Sequence, residues 1–178
     1  TINGVRYSRK YYVSKDCDAM IVEIEASAKA SLDLEINLSR AFHCTEEITE
    51  DGLLKISGTL DSGAEEPGMG YAAYAQILTE GKDVVIEEGR VYDADKAWII
   101  ISAATSYFEG DDYDRKAREI LAKATENFDP RRTYAASVQA HKALYDRASV
   151  HFESDAASAS LPAGERIIAY SEGAKDNH

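Results

Sequence analysis

An apolar run from Ala97 to Phe108, AWIIISAATSYF, constrains the fold more than any other part of this sequence. Trp98 and three consecutive isoleucines open the run, and polar segments rich in Asp, Glu and Gly border it on both sides. Branched and aromatic residues favour strands, and a short apolar run without polar alternation is typical of a strand buried on both faces. The run therefore predicts the central strand of a sheet.

The residues before this run predict a series of antiparallel strands. Val5–Val13 alternates with period two, and from Met20 to Ala26 the apolar residues share one face while Glu23 and Glu25 share the other. Leu32–Leu38 has the most regular alternation, with apolar residues inward and polar residues toward water. Asp51-Gly52 predicts a hairpin turn. Roughly eight strands without an intervening helix favour an antiparallel sandwich.

The residues after Gly110 change to a helical period. The first predicted helix has an apolar stripe made of Ala117, Ile120, Leu121, Ala124 and Phe128, with Asp111 and Asp112 as expected caps. Pro130 suits the first position of a second helix, whose stripe contains Tyr134, Val138, His141 and Tyr145.

The predicted fold class is mainly β with C-terminal helices: an antiparallel β-sandwich followed by a two-helix linker. We expect a sandwich region at 1–108 and a helical linker region at 109–178, with a short strand near 149–153.

The charge balance limits the partners. With 32 acidic and 20 basic residues the net charge is −12, which disfavours nucleic acid and anionic membranes. No apolar run approaches the ~20 residues that a transmembrane helix needs. Cys17 and Cys44 are too few for a disulfide framework or a zinc site, and we interpret them as two unpaired thiols, with pairing as the alternative. The sequence predicts neither a metal nor a cofactor.

Candidate catalytic groups do not form a recognisable arrangement. Paired acidic residues occur only in predicted turns, loops or helix starts: Asp16/Asp18, Glu46/Glu47, Glu65/Glu66, Glu87/Glu88 and Asp111/Asp112/Asp114. Glycoside hydrolysis needs two carboxylates across a cleft, roughly 5–9.5 Å apart, and sequence neighbours do not imply that geometry. We interpret Ser102, Thr105 and Ser106 as hydroxyls that satisfy backbone groups, and His141 as a hydrogen-bonded packing residue. No catalytic residue is predicted.

Tyrosines offer one possible binding surface. Exposed aromatic rings could stack on sugars, and the best set is Tyr7, Tyr11, Tyr12, Tyr71 and Tyr74. A tyrosine-rich sandwich core predicts the same residues, and that alternative is the stronger one. Tyr71 and Tyr74 are the candidates for carbohydrate contact.

Three segments, in the same order, resemble the amino-terminal region of glycoside hydrolase family 95, best known for α-L-fucosidases. GVRYSRKYYVSKDCDAMIVEIE, from Gly4 to Glu25, is similar to a family segment with R-Y-[ST]-R-E, although Lys10 stands where Glu is usual. ISAATSY, from Ile101 to Tyr107, resembles the family's AATSY/F strand. ALYDRASV at Ala143–Val150 and LPAGER at Leu161–Arg166 resemble xLFxRVSL and LPTDERL.

The resemblance implies a β super-sandwich, here partial, followed by helices that lead into an (α/α)6 catalytic barrel. In that family the catalytic acid and base lie in the barrel, so the resemblance assigns no catalytic residue to this chain. It predicts a non-catalytic domain of a bacterial carbohydrate-metabolising hydrolase, with the catalytic barrel of the parent chain as partner.

Two other classes of function stay open. The chain could be an autonomous carbohydrate-binding module, with a glycan as partner, or a structural or oligomerisation module. We expect no nucleic-acid or membrane partner. The compartment is also open, since a secreted, periplasmic or cytoplasmic parent enzyme fits the sequence.

Overall fold

The protein is described by a computed structural model that covers residues 1–63, 65, 67–150 and 160–174. The chain divides into two compact units, Thr1–Ala140 and His141–His178. The short strand predicted near 149–153 lies largely outside the described residues. The division into a sandwich region at 1–108 and a linker region at 109–178 stays a prediction.

Nine strands are described, and all of them pair in antiparallel fashion. They are β1 Tyr7–Ser14, β2 Ala19–Ala26, β3 Leu32–Glu35, β4 Thr45–Ile48, β5 Leu54–Thr59, β6 Gly70–Glu80, β7 Val85–Glu87, β8 Arg90–Ala94 and β9 Lys96–Thr105. A six-stranded sheet has the order β1-β2-β9-β6-β5-β4, and a three-stranded sheet has the order β3-β8-β7. The hairpin predicted at Asp51-Gly52 is confirmed, because it joins β4 to β5.

Strand β9 has the central position that its composition predicts. Ile100 pairs with Ile21 of β2 on one side and with Gln76 of β6 on the other, and it is fully buried. The strand ends at Thr105 rather than at Phe108, and Ser106 begins a helical turn. The strand ends there because of its register with β6. Thr105 pairs with Tyr71, and β6 begins at Gly70, so the residues after Thr105 have almost no residues of β6 left with which to pair.

The described helices are α1 Ser106–Glu109, α2 Tyr113–Thr125, α3 Pro130–Tyr145 and α4 Ala163–Ser171, with a 3₁₀ turn at Gly110–Asp112. Pro130 begins α3 as predicted, and the Asp129 carboxylate caps it by accepting the Arg131 and Arg132 amides at 2.9 and 3.0 Å. The predicted capping by Asp111 and Asp112 is wrong. Neither side chain caps α2, and the Asp112 carboxylate instead pairs with Arg115 at 2.8 Å.

Two cores cover the two faces of the large sheet. The helix-side core packs α2, through Ala117, Leu121 and Ala124, against Trp98, Ile100 and their neighbours. The sheet-side core packs the three-stranded sheet, through Leu32, Val91 and Ala94, against residues that include Ala97 and Ile99. Successive residues of β9 therefore enter opposite cores, as expected for a strand that is buried on both faces. The mainly β class with C-terminal helices is confirmed.

The second helical stripe is only partly a packing surface. Tyr134 packs edge-on against Tyr12 at 5.2 Å between ring centroids, and the Ser137 hydroxyl donates to the Val13 carbonyl at 2.8 Å. His141 is exposed, stacks on Tyr145 of the same helix at 5.7 Å and makes no hydrogen bond among the described residues, so its interpretation as a hydrogen-bonded packing residue is wrong. Helical spacing identified the stripe correctly, but spacing alone does not reveal how far along α3 the packing extends.

Leu121 is the most informative position for testing the helix layer, because its side chain is only 1% exposed within the helix-side core. Truncation should leave a cavity against the large sheet. We expect Leu121→Ala to lower the free energy of unfolding by about 3 kcal/mol in urea titration. Lys123→Ala, an exposed change on the same helix, should alter it by less than about 0.5 kcal/mol. Equal effects of the two substitutions would contradict this packing.

Candidate functional site

The two tyrosines predicted to contact carbohydrate both lie on β6 but enter different environments. Tyr71 is half-buried, and its hydroxyl donates to the His43 carbonyl at 2.9 Å. The Arg40 guanidinium lies 5.4 Å from the centre of the Tyr71 ring. The ring is thus fixed in orientation and retains an accessible part, so sugar contact at Tyr71 stays a prediction.

Tyr74 is a core residue with 2% exposure. Its hydroxyl donates to an Asp114 carboxylate oxygen at 3.1 Å, which links the large sheet to α2. A ring that is buried in this way offers no face on which a sugar could stack. The stronger of the two alternatives, a tyrosine of the sandwich core, therefore fits Tyr74.

A polar cluster surrounds the Tyr74 hydroxyl at the junction of β4, β5 and α2. The Lys55 ammonium lies 3.1 Å from Glu47 and 3.1 Å from Asp114, and 5.4 Å from the centre of the Tyr74 ring. Burial by itself lowers the pKa of Lys55, but the hydrogen bonds to Glu47 and Asp114 outweigh it and raise that pKa. The cluster holds Lys55 charged and fastens α2 to the sheet.

A second polar cluster contains a buried carboxylate that the sequence pattern did not single out. Glu23 on β2 is 5% exposed. One of its oxygens lies 2.9 Å from the Lys10 ammonium on β1 and 3.4 Å from the Lys96 ammonium on β9. The other accepts the indole N–H of Trp98 at 3.3 Å. Glu23 thus joins three adjacent strands at once.

The partners of Glu23 decide its protonation. Burial by itself raises the pKa of the carboxyl group, but the hydrogen bond from Lys10, the charges of Lys96 and Lys10, and the Trp98 N–H together bring that pKa below 4.5. A general acid in glycoside hydrolysis needs the opposite shift, because it must keep its proton near neutral pH. The environment of Glu23 suits a structural ion pair.

Tyr12 adds an unsatisfied group near this cluster. Its hydroxyl is buried and has no hydrogen-bond partner among the described residues. Burial, followed by the charge of Glu23, raises the pKa of Tyr12 to about 12. The phenol therefore stays protonated at neutral pH.

Two of the three hydroxyls that were predicted to satisfy backbone groups at the end of the central strand do so, whereas the Thr105 side chain makes no hydrogen bond that caps α1. The Ser102 hydroxyl is buried and donates to the Ala117 carbonyl of α2 at 2.7 Å. The Ser106 hydroxyl accepts the Gly70 amide at 3.0 Å. These contacts hold the strand-to-helix connection in place and leave neither serine beside a base that could activate it.

The remaining chemical candidates are dispersed. The paired acidic residues that are described lie at exposed or half-buried positions, and Glu66 lies outside the described residues. Within the described part of the chain, no three His, Cys, Asp or Glu side chains are grouped to hold a metal ion. Cys17 and Cys44 are free and partly buried, as interpreted. No described helix is both long and apolar enough to cross a bilayer.

Two antiparallel sheets form the two layers of this unit, and α2 covers the central strand of the larger sheet. One polar cluster joins α2 to that sheet, and the other joins three of its strands. These features define a β-sandwich domain. The model of the family described as glycosyl hydrolase family 65, N-terminal domain, matches residues 1–110. The chain therefore belongs to that family of glycoside hydrolase N-terminal domains. No curated protein matches the chain in a sequence search. The match supports the prediction of an N-terminal domain of a glycoside hydrolase, and it names family 65 rather than family 95.

Glu23 escaped sequence analysis because alternation placed it opposite the apolar face of β2. The face of β2 that carries Glu23 is also covered, because the helix-side core that contains Ile21 and Trp98 lies on it. The feature that identifies Glu23 is its direct pairing with Lys10 in the register of β1 and β2, which only the structure shows. Without the register, a glutamate between two apolar residues predicts a solvent-facing position.

The pH dependence of stability should report on Glu23. Its folded-state pKa lies below 4.5, so its contribution to stability is present above pH 4.5 and is lost as the pH falls through the folded-state value. We expect Glu23→Gln to lower the free energy of unfolding by about 1–2 kcal/mol at pH 7, with the difference shrinking on acidification. Urea titrations at pH 7, 5 and 3.5 measure it.

The matched control is Glu25→Gln on the same strand, since Glu25 is half-exposed in its pair with Lys96. That substitution should change stability by less than about 0.5 kcal/mol at every pH. If the loss in unfolding free energy caused by Glu23→Gln stays constant from pH 7 to pH 3.5, the carboxylate charge is not the source of the stabilisation.

Proposed function

We propose that this chain is a non-catalytic N-terminal domain of a bacterial glycoside hydrolase of the α-L-fucosidase type, and that it packs against an (α/α)6 catalytic barrel. The observation that carries the proposal is the family match over residues 1–110. The fucosidase type rests on the three ordered segments that resemble family 95. The proposal assigns the catalytic acid and base to the barrel, as the resemblance to family 95 implies.

Exposed apolar side chains support a packing role, and each unit carries its own set. In the first unit, Tyr107 and Phe108 of α1 are 78% and 83% exposed and contact each other edge-on at 4.8 Å. In the second unit, α4 exposes Ile167, Ile168 and Tyr170 by 70%, 58% and 64%. Exposed apolar groups of this size in a short segment are typical of surfaces that another domain covers. The catalytic barrel is the partner that the resemblance implies.

Two readouts on the parent enzyme test the proposal. We expect the parent enzyme to hydrolyse 4-nitrophenyl α-L-fucoside and this chain alone to give no turnover. We expect Ile168→Asp to destabilise the parent enzyme by about 2 kcal/mol, because an apolar contact with the barrel is lost and a charge is buried there. The same change in this chain alone should cost less than about 0.5 kcal/mol, since Ile168 is exposed.

Ala163→Asp is the matched control, because it adds the same charge at another exposed position of α4. It should leave the parent enzyme's stability unchanged. Turnover by this chain alone would contradict the non-catalytic role. A parent enzyme that is indifferent to Ile168→Asp would contradict packing through α4, and one active on other glycosides but not on fucosides would contradict the fucosidase type.

A second candidate function is autonomous carbohydrate binding through Tyr71. The observation in its favour is a half-buried ring whose orientation is fixed by the His43 carbonyl and Arg40. We expect Tyr71→Ala to abolish any glycan-array signal that depends on this surface, because the ring on which the C–H face of a sugar would stack is removed. Tyr92→Ala, at an exposed tyrosine of β8, is the control and should keep the signal. Binding that survives Tyr71→Ala would exclude this surface.

A further inference from the structure

The large sheet has two open edges. Its outer strands are β1 and β4, and within the described part of the chain each has a neighbouring strand on one side only. The residues Ser8–Tyr11 and Thr45–Ile48 are all exposed. An exposed edge strand carries a row of unpaired N–H and C=O groups, which is a template for pairing with a further strand. The register and the charge of each edge decide which strand it accepts.

The register of β1 shows which of its backbone groups point away from β2. The Ser27 amide donates to the Arg6 carbonyl at 2.9 Å, which continues the pairing of β1 with β2 by one residue. Successive residues of an antiparallel strand direct their N–H and C=O groups to alternate sides. The outward-facing residues of β1 are therefore Tyr7, Arg9, Tyr11 and Val13. The Val13 carbonyl agrees with this count, because it accepts the Ser137 hydroxyl of α3.

The same count applies to β4. The Thr49 amide donates to the Leu53 carbonyl at 2.9 Å, which continues the pairing of β4 with β5 by one residue. The backbone groups of Glu46 and Ile48 therefore point away from β5. The paired residues that connect Ile48 to the opposite edge of the sheet are Leu54, Ala75, Ile101, Met20 and Val13. Since paired residues share a face, the side chains of Glu46 and Arg9 lie on the same face of the sheet.

The two edges match in direction and in register. Six strands with antiparallel neighbours leave β1 and β4 running in opposite directions. A second copy that continues the sheet sideways therefore places its β4 antiparallel to β1, with equivalent faces on the same side. A register that sets Glu46 of one copy opposite Arg9 of the next also sets Ile48 opposite Tyr7. All four residues direct backbone groups outward, so the two pairs exchange about four hydrogen bonds.

The two edges carry opposite charges. Arg9 on β1 makes no ion pair among the described residues, and Glu46 on β4 contacts only the Cys44 thiol there, at 4.0 Å. Opposite charges that face each other across two strands stabilise the pairing, and like charges destabilise it. Two β1 edges would bring arginines together, and two β4 edges would bring glutamates together. The net charge of −12 opposes unspecific contact between copies, so a favourable contact needs a local match of this kind.

We propose that the large sheet accepts a second copy of this chain by edge-to-edge pairing, with β1 of one copy beside β4 of the next. Each contact leaves one β1 and one β4 free at the two ends of the assembly, so the contact is heterologous and can be repeated. Only two residue pairs exchange hydrogen bonds, which makes the association weak. The exposed side chains of α1 and α4 take no part, so the inference does not rest on the proposed packing against a barrel.

Sedimentation velocity and NMR on this chain test the inference. We expect the weight-average sedimentation coefficient to rise as the protein concentration increases from micromolar to millimolar. The amide signals of ¹⁵N-labelled protein should shift over the same concentration range. These shifts should be largest in Tyr7–Tyr11 and in Thr45–Ile48, because those segments form the contact.

Charge-reversal variants identify the partner edges. Arg9→Glu and Glu46→Arg should each raise the dissociation constant of self-association at least about tenfold, because like charges then face each other. Both positions are exposed, so the folded chain is retained. An equimolar mixture of the two variants should associate again, because the altered β1 of one variant meets the altered β4 of the other with opposite charges.

Lys123→Glu is the matched control, because it changes the net charge by the same amount as Arg9→Glu at an exposed position of α2. It should leave the association unchanged. The inference is overturned if the unaltered chain shows no concentration dependence, or if both charge-reversal variants associate as it does. It is also overturned if the mixture of variants stays monomeric. Amide shifts confined to α1 or α4 would assign self-association to the exposed apolar side chains and would likewise overturn it.

Discussion

The Glu23 carboxylate contacts Lys10, Lys96 and Trp98, which lie on the two strands that flank β2. Removing one member of such a buried group leaves charge or hydrogen-bonding capacity uncompensated, so the members depend on one another. The group also fixes register, because a shift of β1 by one residue would move Lys10 to the opposite face of the sheet. The helix layer depends on this register as well, because the Trp98 ring packs against the ring of Phe128, just after α2, with 6.2 Å between the ring centroids.

The two polar clusters lie on the same face of the large sheet, and one of them also orients a helix. Lys55 with Asp114, and Glu23 with Lys96, both lie on the face of the large sheet that the helices cover. Apolar packing against a flat sheet does not by itself define where a helix must lie along it. The Lys55–Asp114 ion pair and the Ser102 hydroxyl bond to Ala117 are directional, and they select one position for α2.

The central strand and the helix stripe could be predicted because both depend on local composition. Hydrophobic periodicity determines which residues turn inward once the type of element is known, as Leu121 and Ile100 show. The burial of Glu23, the burial of Tyr74 and the exposure of His141 depend on which layer covers each position, and that is a property of the tertiary arrangement.

The direct passage from β9 into α1 and α2 has a mechanical consequence. The chain leaves the large sheet from β9, an interior strand that is paired on both sides. The Ser102 hydroxyl then joins this strand to α2 by a hydrogen bond to the Ala117 carbonyl. A force applied from the C-terminal side of α2 therefore acts on hydrogen bonds to β2 and β6 in shear, all loaded together. A chain that left from an edge strand would instead open its bonds one after another. This exit point makes the sheet a firm anchor for whatever follows it.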